Sequence, residues 1–262
     1  MVSDAGWLRI GPDARIAAWA KAALPIGIAG IAAQADGWRC GGTWHVGLNA
    51  LPNGPEGALA GVAFPWDALP LAPMSLEQGQ VSTIRPGYPQ AWEGEGEAAF
   101  AFRQTRDAAH LDGLLPVGPD KRRYVKEPHG WVLGIALNTH GAGSSPLTVW
   151  EGSHLILQAA MAQALQGHLP HQWADVDVTD AYIAARRTVF ATCRRVALPI
   201  AVGEATLIHR HLLHGMAPWA GGAGAPEGRM IAYFRPMLPS VAAWLDKSYD
   251  QSPSFHLAEG KA

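Results

Sequence analysis

Two short stretches of this 262-residue chain carry residues able to hold a metal ion. His110-Leu111-Asp112 sets an imidazole and a carboxylate two positions apart. On a strand, positions i and i+2 face the same side, so both side chains can reach one ion. A His-x-Asp pair alone is equally at home as a surface or capping pair, and it gains meaning only with a third ligand. The segment from Gly203 to Gly215 offers one: a turn, an apolar strand, then His209, His211 and His214, the last followed by glycine. Two imidazoles and one carboxylate on adjacent strands make a facial triad, which leaves positions open on Fe(II) for a chelating co-substrate and dioxygen. His209 and His211 share one strand face, so they are either core residues behind the site or, with His214, the ligands of a zinc ion.

Composition narrows the partners. Lys+Arg number 20 and Asp+Glu 22, for a formal charge of -2, so the chain lacks the basic field that nucleic acid or an anionic membrane would require. A small-molecule partner is expected, and nothing readable sets the oligomeric state. The two cysteines, Cys40 and Cys193, lack a C-x-x-C spacing, which argues against a disulfide framework, a zinc knuckle or an iron–sulfur centre and for a reducing, cytoplasmic setting. Ala22 to Ala35 is apolar, follows Arg15 and Lys21, and ends in an Ala-Gln-Ala that imitates a leader cleavage site. Asp4 and Asp13 acidify what should be a cationic leader, Trp7 and Trp19 suit packing, and the run is short for a bilayer. A helix leading into a buried strand is the expectation.

These residues must be positioned by a β-rich frame. Glycine (30) and proline (20) punctuate many short apolar runs without a period, and a single domain over 1–262 is expected. Residues 13–24 place Ile16, Trp19, Ala20 and Ala23 on one helical face, a brace for the sheet. Strands are expected at 43–50, 58–64, 79–85, 97–105, 131–138, 146–150, 194–200, 204–209 and 229–235, which suits a jelly roll. Residues 154–192 read as a helical insertion broken at His168 to His171, 220–226 as a loop, and the chain from Gln251 as a tail.

At this point the motifs resemble the phytanoyl-CoA dioxygenase-like branch of the Fe(II)/2-oxoglutarate oxygenases, over roughly 78–237. Ala109-His110-Leu-Asp112-Gly113 looks like that family's first two ligands. Ser145-Pro-Leu-Thr-Val-Trp-Glu151-Gly-Ser-His154 is similar to its Gly-Pro-Leu-…-Pro-Gly-Ser-His strand and turn. Gly203 to His214 resembles its Gly-Asp-…-Leu-Leu-His-Gly segment, so the resemblance selects His214 over its neighbours. It implies a double-stranded β-helix, mainly β with flanking helices. It also implies Fe(II) on His110, Asp112 and His214, and Arg229 as anchor for the distal carboxylate of 2-oxoglutarate. Arg85, in Gln80-Val-Ser-Thr-Ile-Arg85-Pro86, stands where the family carries a lysine that helps bind that carboxylate. A guanidinium suits the anchor because its planar fork binds a carboxylate bidentately.

The implied reaction couples oxidative decarboxylation of 2-oxoglutarate to succinate and carbon dioxide with hydroxylation or desaturation of a small molecule by dioxygen. An intact Asp112 points away from halogenation, for which relatives carry a small residue there. The chain departs from the family at Glu151, where proline is usual, at Met216, where a small hydroxyl residue often follows the distal histidine, and at Pro226, which closes a Gly-rich insertion. Arg103, Arg106, Lys126, His129 and Asn138 are available to line a polar substrate pocket, and Trp38, Trp44, Trp66 and Trp92 precede the metal motif. The rival classes are a zinc-dependent hydrolase at His209, His211 and His214 and a non-catalytic, cupin-like binding protein.

Overall fold

The computed structural model describes residues 4–222 and 225–248. Two antiparallel sheets face each other. The larger has seven strands, in the order β1 (Trp7–Ile10), β10 (Ala205–His209), β7 (Trp131–Ala136), β12 (Arg229–Phe234), β4 (Gly79–Ile84), β3 (Trp44–Leu51), β2 (Trp38–Arg39). The smaller has three: β11 (His214–Met216), β8 (Leu147–Trp150) and β9 (Arg195–Leu198). From β7 onward the chain passes to the small sheet for β8 and β9, back for β10, across for β11 and back for β12. This is a double-stranded β-helix, as the sequence predicts. A separate hairpin joins β5 (Leu114–Val117) to β6 (Arg122–Val125).

The central strands β7, β10 and β12 are buried on both faces and read as unbroken apolar runs for that reason. Their two faces are distinct. Trp131, Leu133, Ile135, Leu207, Met230, Ala232 and Phe234 pack outward against Ile16, Trp19, Ala20, Ala23 and Ile31 of α1 (Ala14–Ala33). Val132, Ile208, Ile231 and Tyr233 point inward and meet Leu147, Val149 and Leu198 of the small sheet. A one-residue slip of β12 would swap these sets, so burial on both sides fixes its register.

Seven of the nine expected strands are present and two are not. Residues 97–105 fold as α2 (Glu97–Arg106), because the Ala-Phe alternation that imitates a strand is built largely from strong helix formers, and Asp107 closes the helix at φ 56°. Residues 58–64 form only the isolated bridge Leu59↔Val62. The strands β1, β2, β5, β6 and β11 were not expected; each is four residues or fewer, too short to show a period. The N-terminal helix runs well past residue 24 and through Pro25, so the apolar run at 22–35 is mostly helix. At 20 residues α1 is long and apolar enough by length and composition to cross a membrane, yet one of its faces is spent on the sheet. Between β8 and β9 the chain forms α3 (Ser153–Leu165), a 3-10 turn at Pro170–Asp175 and α4 (Thr179–Thr192). Cys40 and Cys193 are free thiols, as expected. The expected tail from Gln251 lies outside the described residues.

Candidate metal centre

His110 and His214 meet through the small sheet. The two residues form an antiparallel bridge, in which His110 N–H donates to the His214 carbonyl at 2.8 Å and His214 N–H donates to the His110 carbonyl at 3.1 Å. His110 thereby extends the small sheet at its β11 edge. Asp112, two positions on, turns to the same side. Two glycines make this packing possible. A Cβ on Gly215 would stand 2.2 Å from the Asp107 carbonyl, and one on Gly113, at φ +86°, would stand 2.2 Å from the Glu127 carbonyl. Hence the glycine that follows each ligand segment.

His110, Asp112 and His214 offer ligand atoms that all lie within 4.8 Å of one another, the one such group of three among the described residues. His110 Nε2 stands 3.2 Å from Asp112 Oδ1, and His214 Nε2 stands 3.7 Å from Asp112 Oδ2. The opposite ring nitrogens are engaged: His110 Nδ1 lies 3.1 Å from the Ala108 carbonyl and His214 Nδ1 lies 2.9 Å from the Leu212 carbonyl. A carbonyl only accepts, so each Nδ1 carries a proton, and each ring turns its Nε2 toward the carboxylate. Burial pushes the His214 pKa down to about 4 despite the nearby Asp112, so that ring is neutral near pH 7. Burial works to raise Asp112, but Arg235, His214 and His110 outweigh it and hold the carboxyl well below its usual range. Asp112 Oδ2 is buried and is paired with the Arg235 guanidinium, whose Nε stands 2.7 Å away. Two imidazole nitrogens and a carboxylate therefore converge on one point, a donor set that suits a metal cation, with Arg235 beside the carboxylate.

The site opens both ways. Inward, a cavity of about 220 Å³ lies between the sheets, with Ser82, Val132, Leu147, Met216, Tyr233 and Arg235 around the ligands. Outward, a cleft of about 490 Å³ reaches His110 and Asp112 from the side of α2, β5 and α4. His110 stands at the mouth with its side chain 51% exposed, whereas that of His214 is 7% exposed.

The arginines divide by strand parity. Arg229, Ile231 and Tyr233 occupy alternate positions on the inward side of β12, and Arg235, just past its end, continues the series. Arg229 is 2% exposed, makes no ion pair among the described residues, and its Nη1 has no hydrogen-bond partner. Its charge helps burial to push His140 down to about 4. Arg229 does not line the inner cavity, which extends only to Tyr233, two inward positions nearer the metal ligands. Arg235, which sequence reasoning overlooked, does line it: its Nε stands 2.7 Å from Asp112 Oδ2 and its Nη1 donates to Gln80 Oε1 at 2.5 Å. The signal was present, since period two from Arg229 reaches Arg235 directly. Arg85 lies elsewhere. It follows the outward positions Val81 and Thr83, stacks on Trp38 at 3.7 Å and borders a hollow beside α1, on the opposite face of the sheet from the ligands.

His209 and His211 do not join His214. His209 Nδ1 accepts the His211 backbone N–H at 3.0 Å, and the His209 ring lies 4.9 Å from His154 and 5.2 Å from His211 between centroids. His211 packs edge-on against Trp244 at 4.1 Å. These rings belong to the interior behind the site, the core alternative for the pair.

No family model matches the chain, and no curated protein matches it. Among solved structures it is similar to AviO1 from Streptomyces viridochromogenes Tue57, at 20% identity and TM-score 0.47, covering 90% of this chain and 92% of that one. It is also similar to the non-heme alpha ketoglutarate dependent carbocyclase SnoK from nogalamycin biosynthesis, at 14% identity and TM-score 0.43, covering 98% and 90%. EctD from S. alaskensis with bound Fe matches at 16% identity and TM-score 0.43, covering 88% and 72%. Likeness this distant leaves the function to be read from the site itself.

Proposed function

We propose that this protein is a non-haem Fe(II)- and 2-oxoglutarate-dependent dioxygenase that hydroxylates or desaturates a small molecule. The observation that carries the reading is the convergence of His110, His214 and Asp112, whose ligand atoms all lie within 4.8 Å of one another. Two histidines and one carboxylate bordered by open cavities suit a ferrous ion with free positions better than a closed structural zinc site.

Iron with 2-oxoglutarate and dioxygen supplies the oxidation of a C–H bond, with succinate and carbon dioxide as by-products. The chain's own residues do the rest. Asp112 stays anionic and His214 neutral, so neither ligand must shed a proton to bind the ion near pH 7. The Nδ1–H bonds to Ala108 and Leu212 hold both rings with Nε2 aimed inward. Val132, Leu147 and Tyr233 line the inner cavity and limit access of water to the reacting centre. Arg229 takes the distal carboxylate of a co-substrate that extends from the inner cavity past Tyr233 along the inward side of β12, since a buried guanidinium without a counter-ion is costly until an anion reaches it. Arg235 is less suited, because Asp112 and Gln80 already hold it. Arg85 faces away and has no part in this reading.

Anaerobic titration of apo-protein with Fe(II) and then 2-oxoglutarate tests the reading, through the weak visible metal-to-ligand charge-transfer band of the chelate. The band is expected in the wild type, absent in His214→Ala and weakened in Arg229→Ala. Absence of the band together with tight zinc binding would reject it.

A further inference from the structure

The outer cleft names a class of prime substrate. This inference rests on the oxygenase reading, for it assumes that chemistry takes place where the cleft meets His110 and Asp112. Trp44, His110, Asp112, Glu127 and Met216 border both the inner cavity and the outer cleft, so the two compartments adjoin at the metal ligands. With the inner one assigned to the co-substrate, the outer one, at about 490 Å³, is left for the molecule to be oxidised.

Its walls are aromatic and aliphatic, with Phe102 from α2, Tyr182 from α4, and Leu114 and Leu115 from β5. Such walls take a flat apolar body. The charges in the cleft are more telling. Arg103 is neutralised by Glu95 at 2.9 Å, and Asp107 is held by Arg195, with Asp107 Oδ1 at 3.0 Å from Nη2. Glu127 stands 3.3 Å from His129, and Asp112 belongs to the metal. Arg123 and Arg186 remain. Arg123 spends one Nη1 on the Leu114 carbonyl at 3.2 Å, and Arg186 lies over the Phe102 and Tyr182 rings at 4.9 and 5.2 Å. Among the described residues neither makes an ion pair with a carboxylate. Two guanidinium forks without counter-ions, seated on an apolar wall, form a receptor for an oxyanion attached to a hydrophobic body.

We propose that the prime substrate is an amphipathic carboxylate, an aromatic or aliphatic body carrying a carboxylate held by Arg123 and Arg186, with its reacting carbon turned toward His110 and Asp112. The position of Arg186 favours this, because the Phe102 and Tyr182 rings and the Tyr182 hydroxyl fix the guanidinium and leave its remaining donors to the ligand, with Arg123 near the same hydroxyl.

The test compares 4-phenylbutyrate with its uncharged amide, 4-phenylbutyramide, by calorimetric titration of the full-length protein. The wild type is expected to bind the acid at least about tenfold more tightly than the amide, the scale of one charge-assisted contact. That ratio should collapse toward unity in Arg186→Gln and fall severalfold in Arg123→Gln, while the affinity for the amide moves little. The amide thus controls within each variant for a disturbed fold. Equal affinities for acid and amide in the wild type, no binding of either, or an undiminished ratio in both variants would overturn the proposal. The chelate band is read separately on the wild type with Fe(II) and 2-oxoglutarate. Its absence removes the oxygenase reading, while its presence beside an indifferent acid-to-amide ratio removes only the substrate class.

Discussion

Replacing Arg229 with methionine should raise the stability of the apo-protein and remove its response to 2-oxoglutarate. The side chain is 2% exposed, ends in a buried Nη1 without a partner, and makes no ion pair among the described residues. Exchange of buried ionic groups for apolar ones of similar volume is stabilising by about 1–4 kcal/mol where the charge is poorly compensated. For a chain of this length each kcal/mol moves the melting temperature by roughly 2–4 °C. Arg229→Met should therefore melt at least about 2 °C above the wild type when both lack ligand.

With Fe(II) and 2-oxoglutarate the order should reverse. A ligand at a hundred times its dissociation constant stabilises the wild type by about 2.7 kcal/mol, whereas the variant, without the fork for the distal carboxylate, should gain little beyond the metal's own contribution. Anaerobic calorimetric melts of both proteins, with and without 2-oxoglutarate at fixed Fe(II), read both effects. A variant that melts lower than the wild type yet keeps the full shift on adding 2-oxoglutarate would show that Arg229 is a structural cation, and the assignment would fall.

Three further outcomes follow from particular contacts. Asp112→Ala removes the carboxylate shared by both Nε2 atoms and should abolish substrate-coupled succinate formation; full succinate production by that variant would sink the metal assignment. Gly215→Ala should cost about 1–3 kcal/mol and weaken Fe(II) binding, because the new Cβ would meet the Asp107 carbonyl at 2.2 Å and push β11 off its bridge to His110; unaltered urea midpoints and metal affinity would refute this. His211 is fully buried and pushed well below its usual pKa by burial, then by His209, Arg210 and His154. The unfolded state therefore binds its proton first, and stability falls as pH drops below about 6.5, by up to about 1.4 kcal/mol per pH unit for one such group. His211→Phe should flatten that slope by one proton's worth between pH 6 and 5, and parallel slopes for the two proteins would contradict it.

The frame was legible where burial imposes a strong pattern. The unbroken apolar runs of β7, β10 and β12 and the mixed turn-bounded runs of β3 and β4 declared themselves, because each strand is sandwiched between α1 and the small sheet or flanks that sandwich. Residues 97–105 imitate a strand for a definite reason: Phe100 and Phe102 alternate with alanine, and α2 has no fully buried residue whose spacing would expose its true period. The short strand β11 was out of reach for another. Three residues cannot show a period, and its pairing with β8 is decided by strands far away in the sequence.

The site divides in the same manner. Residue types and two-residue spacing were enough to nominate His110 and Asp112, because same-face geometry on a strand is local. Choosing His214 from three histidines needed the resemblance to a family, and the fold accounts for the choice. β10 ends at His209, the chain turns at His211, and only His214 reaches the small-sheet edge where it can bridge His110. The arginines mark the boundary of what period alone can tell. Parity along β12 puts Arg229 and Arg235 on one side, but which of them is paired and which is bare depends on Asp112 and Gln80, brought from other strands by the sheet's closure. A charge left bare by the fold is a property of the whole packing, because whether Arg229, Arg123 or Arg186 meets a carboxylate is decided by strands and helices distant from it in sequence.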